Sequence, residues 1–278
     1  MSMRIVVTGA SGFLGKHVAQ YLRDSEADVL AVSRRAYDGC LQVQDYTHAP
    51  EGDVLIHLAQ DSDRSRVNES GEAAAREADM VMHSLLNRKY DRVVYASSAT
   101  LYGDGNPGLR KPTDPIMEED EYARLKRQSE IAVMGSGHGV VARLSNLYGV
   151  GMSTNNVLWT ILRQIPGQGA LRVMDDTPVR DFLWVKDAAA AISRMAMGKI
   201  SGIFNVGSGV GTSIRQLANL CLEEAGETQR PVIAMHRSNR RSSLVLDLRE
   251  TMVNWDWKPV VTLRDGVKCL LETGSQQT

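Results

Sequence analysis

The sequence predicts an α/β chain: a doubly wound parallel sheet joined to a smaller, interleaved C-terminal α/β lobe. Through the first half, short β-branched runs alternate with longer segments of helical spacing. The runs are nearly continuous in apolar residues, as strands covered by helices on both faces must be. After Gly149 the composition turns to glycine, asparagine and proline, with Gly151, Pro166, Gly167, Gly169 and Pro178 marking the loops of a second lobe.

Strands are predicted at residues 4–8, 28–32, 41–43, 54–58, 92–96 and 140–144. Helices are predicted at 13–23, roughly 69–88, and 118–134. Too few residues separate Asp45 from Asp53 for a crossover helix, and Pro50 with Gly52 discourages one, so a pared-down loop is expected there. Farther on, 186–197 reads as a helix and 202–206 as a strand that can return to the sheet. The division expected is a dinucleotide-type domain at 1–150, with 185–206 returning to it, and a second lobe from 151–184 and 207–278.

Composition narrows the function classes. Hydrophobic residues make up 43% of the 278 and charged residues 23%, which fits a packed globular body. Thirty-two basic residues against 33 acidic ones leave a formal charge of −1, too little field to hold a nucleic acid. Cys40, Cys221 and Cys269 are scattered, without the spacing of a metal knuckle or a disulfide framework. The apolar run from Ile5 reaches Gly9 too soon for a secretory leader, and no stretch approaches the ~20 apolar residues of a membrane helix. A cytoplasmic protein with no bound metal and no membrane partner is expected.

Residues 8–15 read T-G-A-S-G-F-L-G, at the turn from the first strand into the first helix. Gly9 suits a tight turn, Gly12 a close approach to pyrophosphate, and Gly15 close packing of helix on sheet: the Rossmann fingerprint. The helix N-terminus offers unpaired N–H groups and partial positive charge, which makes Ser11, Phe13 and Leu14 candidate cofactor contacts beside Gly9 and Gly12. The second strand ends in Ser33, Arg34 and Arg35, where an NAD enzyme usually offers a carboxylate to the ribose. Two guanidinium groups suit a 2′-phosphate, so NADP(H) is the preferred cofactor and NAD(H) the alternative. Asp45 either accepts from the adenine amino group or solvates its loop. Leu58, Ala59 and Gln60 end the fourth strand, at the sheet edge where ligands bind. His57, among apolar neighbours, reads as a packed histidine rather than a base.

Tyr122 and Lys126 form Y-x-x-x-K within a helix, which sets both on one face a turn apart. With charges ~4 Å apart at an effective dielectric of ~20, attraction of about 4 kcal/mol would draw the phenol roughly three pKa units toward neutrality, where an acid or base works best. Ser98 closes the fifth strand and can hydrogen-bond the reacting oxygen. Ser98, Tyr122 and Lys126 are therefore the expected catalytic group.

These residues resemble the extended short-chain dehydrogenases/reductases, the NAD-dependent epimerase/dehydratase family. The resemblance runs through T-G-A-S-G-F-L-G, H-L-A at 57–59, S-S-A-T-L-Y-G at 97–103, Tyr122 with Lys126, R-L-S-N-L-Y-G at 143–149, R-D-F-L-W-V-K-D at 180–187, F-N-V-G-S-G at 204–209 and W-K-P at 257–259. It implies that Tyr122 is the acid/base, that Lys126 grips the nicotinamide ribose, and that the substrate is a nucleotide-diphosphate sugar held by the C-terminal lobe. On that reading Thr100, Asn146 and Arg180 face the sugar nucleotide, and Arg237, Arg240 or Arg241 reaches its diphosphate. The chain departs from the family in lacking an acidic residue at Ser33 or Arg34, in reading H-L-A-Q for H-L-A-A, and in being shorter than most sugar epimerases. These points favour an NADPH-dependent reductase of a 4-keto-(deoxy)sugar. A 4-epimerase with tightly bound NAD(P) is the alternative, and a non-catalytic dinucleotide sensor a further one. The outer faces of helices 69–88 and 118–134 are expected to pair in a homodimer.

Overall fold

Ile5, Val6 and Val7 have no solvent contact, because alternate side chains of this strand enter different cores on the two sides of a sheet. The computed structural model describes residues 3–274; the first two and last four residues, at the outer ends of the sequence-derived lobes, lie outside the described residues. The first half contains β1 (Arg4–Thr8), α1 (Phe13–Asp24), β2 (Asp28–Ser33), β3 (Leu41–Gln42), β4 (Val54–His57), α2 (Arg64–Ser70), α3 (Glu72–Leu86), β5 (Arg92–Ser98), β6 (Leu109–Arg110), α4 (Glu121–Gly135), β7 (Gly139–Leu144) and β8 (Asn146–Tyr148). The second half contains α5 (Val157–Leu162), β9 (Leu171–Val173), β10 (Val179–Trp184), α6 (Val185–Met197), β11 (Gly202–Val206), β12 (Gly211–Ser213), α7 (Ile214–Glu224), β13 (Val232–Ala234), β14 (Ser243–Leu246), α8 (Arg249–Trp255) and α9 (Leu263–Gly274).

The main sheet has seven strands in the order β11-β7-β5-β4-β1-β2-β3, all parallel. This is the doubly wound, Rossmann-type sheet that the sequence predicts. Its chain order reverses between β1 and β4, which pair in register from Ile5 with Val54 to Thr8 with His57. A crevice at such a reversal, beyond the carboxyl ends of the strands, is where open α/β sheets bind ligands. One face buries Val18 and Leu22 of α1 with Ala188 and Ile192 of α6. The other buries Val81 and Leu85 of α3 with Val133 of α4.

A second sheet runs β12-β10-β14-β6, with β8 beside β10, and β9 pairs with β13. Its core joins Tyr148, Leu158, Phe182, Trp184, Leu217 and Val267. β11 pairs with β7 from Gly202 with Val140 to Val206 with Leu144, so a strand late in the chain completes the main sheet.

Two local details differ from simple periodicity. The helix predicted at 69–88 is two helices, broken at Gly71, whose φ of 51° and ψ of −131° suit glycine alone. Asp63 caps the first of them by accepting from the Arg66 N–H, so the break starts α2 earlier than hydrophobic spacing indicates. Between β3 and β4 lies one 3-10 turn, Tyr46–His48, in place of a crossover helix. Among the described residues, no helix is long and apolar enough to cross a membrane.

Gly15 faces the backbone of the first loop so closely that an added Cβ would lie 2.1 Å from the Gly9 carbonyl oxygen. Gly15→Ala is therefore expected to cost about 1–3 kcal/mol of stability. Thermal denaturation checks this, and an unchanged Tm would refute the close packing.

Candidate active site

The first loop forms a cradle with no side chain to spare. Gly9, at φ 74°, abuts the fourth strand's continuation so closely that a Cβ there would sit 2.9 Å from the Ala59 N and Cα. The Leu58 N–H donates to the Thr8 carbonyl, which joins the two strand ends at the sheet's reversal point. Gly12 precedes α1 without a side-chain cap, and no acidic residue occupies the first turn, so the N–H groups and dipole of α1 face outward unneutralised. Phe13 packs edge-on against His17 at 6.0 Å, while Leu14 turns its side chain to the core. Such a cradle fits the pyrophosphate of a dinucleotide.

Beside it, the hydroxyls of Ser11 and buried Ser33 share a 2.6 Å hydrogen bond, and the Arg35 N–H donates to the Ser33 hydroxyl. The exposed Arg34 guanidinium donates to Glu77 at 3.0 Å and lies over the Tyr46 ring. Asp45 accepts from the Thr47 N–H and hydroxyl and lies 3.2 Å from the His48 ring. Those contacts, Thr47 foremost, hold its carboxyl below the usual range, so its oxygens serve the local turn.

Ser98 leaves β5 at the carboxyl edge and caps the short turn Ala99–Tyr102 by accepting from the Thr100 N–H, and its hydroxyl also shares a 2.9 Å bond with that of Thr100. Tyr122 is the second residue of α4, which Asp120 caps by accepting from the Ala123 N–H. Burial raises the Tyr122 phenol above its ordinary pKa, opposed by the nearby Ser98 hydroxyl and then by the Arg64 charge. Lys126 is almost fully buried and donates to the Ala96 carbonyl at 3.1 Å, its Nζ 5.8 Å from the centre of the Tyr122 ring. Burial pulls this ammonium down to about 8 against the support of Glu130 and Asp61. The three residues do come together. The expected fall of the phenol toward neutrality does not occur, because dehydration of the phenolate outweighs any help from an ammonium that is itself dehydrated. His57 is buried, shares a 2.8 Å bond with the Thr8 hydroxyl, and is held neutral by burial and then by Lys126, down to about 3.

Gln60 follows Leu58 and Ala59 at the end of β4. Its amide turns inward, accepting from the Tyr95 phenol and donating to the Ser129 hydroxyl at 2.5 Å, so its side chain is committed within the protein.

The second lobe brings some of its expected residues close and leaves others apart. Asn146 is exposed at the start of β8 and donates to the Asp181 carbonyl at 3.3 Å. Arg180 donates to Asp104 at 2.9 Å and to the Ser242 hydroxyl at 2.8 Å, while Arg240 pairs with the other oxygen of Asp104. Arg237 lies with Arg215 around the buried carboxylate of Asp176, and Arg241 is exposed. Arg180 and Arg240 thus share a site, and Arg237 stands beside a different carboxylate. Among the described residues, no group of three or more His, Cys, Asp or Glu side chains is placed to hold a metal ion.

Residues 5–207 match the NAD dependent epimerase/dehydratase family. The chain belongs to this family. It is 30% identical to the GDP-6-deoxy-D-mannose reductase of Pseudomonas aeruginosa, over 98% of this chain and 97% of that protein. It is 25% identical to a putative UDP-glucose 4-epimerase of Methanocaldococcus jannaschii, over 95% and 96% of the two chains. Among solved structures, a UDP-glucose 4-epimerase from Thermotoga maritima, determined with UDP-glucose, superposes with a TM-score of 0.85 at 21% identity, covering 99% of both chains. This family member is therefore an enzyme.

Several contacts of this family member's site escape motif reading. Glu130 and Arg143, almost without exposure, form a two-pronged ion pair at 2.8 and 2.7 Å. Glu130 also accepts from Ser97 at 2.6 Å, and Arg143 donates to the Tyr102 hydroxyl at 2.9 Å. Glu130 lies four residues beyond Lys126 on the same helix, a spacing that could have flagged it. Asp104 gives no such signal, since its partners Arg180 and Arg240 lie 76 and 136 residues away. Arg64, the first residue of α2, is held by Asp120 at 2.5 Å with its charge felt by both Tyr122 and Arg180. Glu130→Gln leaves Arg143 buried with its charge unpaired, so a loss of about 3–5 kcal/mol in unfolding free energy is expected. Urea denaturation checks it, and wild-type stability would show that the pair does not organise the site.

Proposed function

We propose that this enzyme is an NADP(H)-dependent oxidoreductase that reduces the 4-keto group of a nucleoside-diphosphate-linked (deoxy)sugar. The observation that carries the reading is the meeting of Ser98, Tyr122 and Lys126 at the carboxyl edge of the sheet, beside a glycine cradle suited to pyrophosphate. Gly9, Ser11, Gly12, Phe13 and Leu14 would hold the pyrophosphate end, and Leu58 and Ala59 would line the reversal point. Ser33, Arg34 and Arg35 favour a 2′-phosphate, for which Arg34 exchanges its exposed Glu77 partner.

When bound, the dinucleotide supplies a hydride to a carbonyl carbon. The chain's own residues handle the oxygen. Tyr122, a phenol whose pKa burial moves still farther above neutrality, donates its proton to the substrate oxygen while the Ser98 hydroxyl donates a hydrogen bond to it. Lys126 presents an ammonium to ribose hydroxyls from the same helix face. A phenol protonated at rest suits reduction, whose first need is an acid. Thr100 and Asn146 would contact the sugar, and Arg180 and Arg240, which share Asp104, the diphosphate. The GDP-6-deoxy-D-mannose reductase among the relatives supports the substrate class. On this reading residues 1–150 and 185–206 carry the cofactor, and 151–184 and 207–278 carry the sugar nucleotide. Exposed Met80 on α3 and Ile131 on α4 supply an apolar face for the proposed homodimer.

A 4-epimerase with retained NAD(P) is the second reading, favoured by the Methanocaldococcus jannaschii relative. Following NADPH absorbance across a panel of nucleotide keto-sugars separates the two: a reductase consumes one NADPH per product, and an epimerase shows no net loss. Tyr122→Phe is expected to lower kcat by about 10²–10⁴-fold while NADPH still binds; wild-type turnover would refute the acid role. Fluorescence titration is expected to give a lower Kd for NADPH than for NADH, with the preference reversed in Arg34→Glu. Equal or tighter binding of NADH by the unaltered enzyme would overturn the NADP(H) assignment.

A further inference from the structure

Tyr95 lies in the middle of the sheet with no solvent contact, where an unbonded hydroxyl is costly. Its phenol donates to the Gln60 carbonyl oxygen, and the same amide donates to Ser129, three residues beyond Lys126 on α4. Gln60 therefore ties the segment after β4 to both β5 and α4. The bond anchors the phenol end of the Tyr95 side chain, whose ring stacks on His57 at 6.1 Å and 20° and carries the Lys126 ammonium above it, 5.2 Å from the ring centre. We propose that Gln60 is a positioning residue that works through the Tyr95 ring to keep the Lys126 ammonium charged and aimed at the reaction edge. The inference rests on the reading of Lys126 as a working residue of the site.

The surroundings of Lys126 explain why one ring matters. Its ammonium donates to the Ala96 carbonyl, and the faces of Tyr95 and Tyr122 take up other sides. The charged groups facing it are Glu130 from its own helix and Asp61 from the loop after β4. Both carboxylates are shared, Glu130 with Arg143, Arg127 and Ser97, and Asp61 with Arg66. His57, from β4, is neutral, and Tyr95 and Tyr122 are protonated. With little hydrogen bonding and burial driving its pKa down to about 8, the ammonium is sensitive to whether an aromatic face stays beneath it.

The test follows the Lys126 side chain directly by NMR of protein labelled with 13C-lysine, without cofactor, the signal being identified by its loss in Lys126→Met. The unaltered protein is expected to titrate near 8. Gln60→Met keeps the volume and loses both bonds, and should move the midpoint down by about half a pH unit. Gln60→Glu can still accept from Tyr95 and adds negative charge, so its midpoint should move up. Ser129→Ala frees one end of the amide and removes the Ser129 hydroxyl from beside the Tyr95 phenol, while the Gln60 acceptor stays, and should move it down by less, which keeps the test open if Gln60→Met fails to fold. Wild-type midpoints in the Gln60 and Ser129 variants would overturn the proposal. Wild-type turnover by Lys126→Met would instead overturn the reading on which it rests.

Discussion

Glu130 and Arg143 bring a full negative and a full positive charge into the centre of the molecule. Removing such charges from water costs several kcal/mol each, and only a close, fully bonded pairing offsets it. That demand is met because Ser97, Arg127, Tyr102 and the Pro112 carbonyl supply further contacts, and Tyr102 in turn donates to Asn205 at 2.7 Å. One interaction thereby locks α4 to β5, β7, β11 and the turn after Ser98. Since Tyr122 and Lys126 precede Glu130 on α4, the pair sets the rotation and height of that helix relative to Ser98. A helix free to slide by a turn could not hold all three residues at one sheet edge.

The burial that makes this lock necessary also sets the proton states around it. Dehydration pushes the Tyr122 phenol up, Lys126 down to about 8 and His57 down to about 3, each toward its neutral form. The phenol is thus an acid at rest, and the ammonium is poised near neutrality. Such an arrangement leaves the proton on Tyr122 available to an oxygen that gains charge, which suits the reducing direction of the proposed reaction.

Buried carboxylates also join the two sheets. Asp181 on β10 accepts from the Ser208 N–H and hydroxyl at 2.7 Å, from Gly209 at 3.0 Å and from Leu246 at 3.3 Å, holding the loop after β11 against β14. Asp187 accepts from the Val260 and Val261 N–H groups, and its carbonyl accepts from the Trp257 indole. The motifs R-D-F-L-W-V-K-D, F-N-V-G-S-G and W-K-P are therefore parts of one device. Asp104 adds a third tie, from the turn beyond Ser98 to Arg180, Arg240 and Ser242.

The sequence by itself determined the parallel sheet, the glycine turn and the Tyr122–Lys126 pair, because each rests on neighbours within a few residues: strand alternation, a tight loop, one helical turn. It could read Gly71 only as part of a longer helix, since the break depends on a backbone angle and on the Asp63 cap. Tertiary structure alone decided the partners of Asp104, the inward turn of the Gln60 amide and the direction of the Tyr122 shift. Those outcomes depend on which distant groups share a buried volume and how much water they exclude. Local spacing carries no record of either.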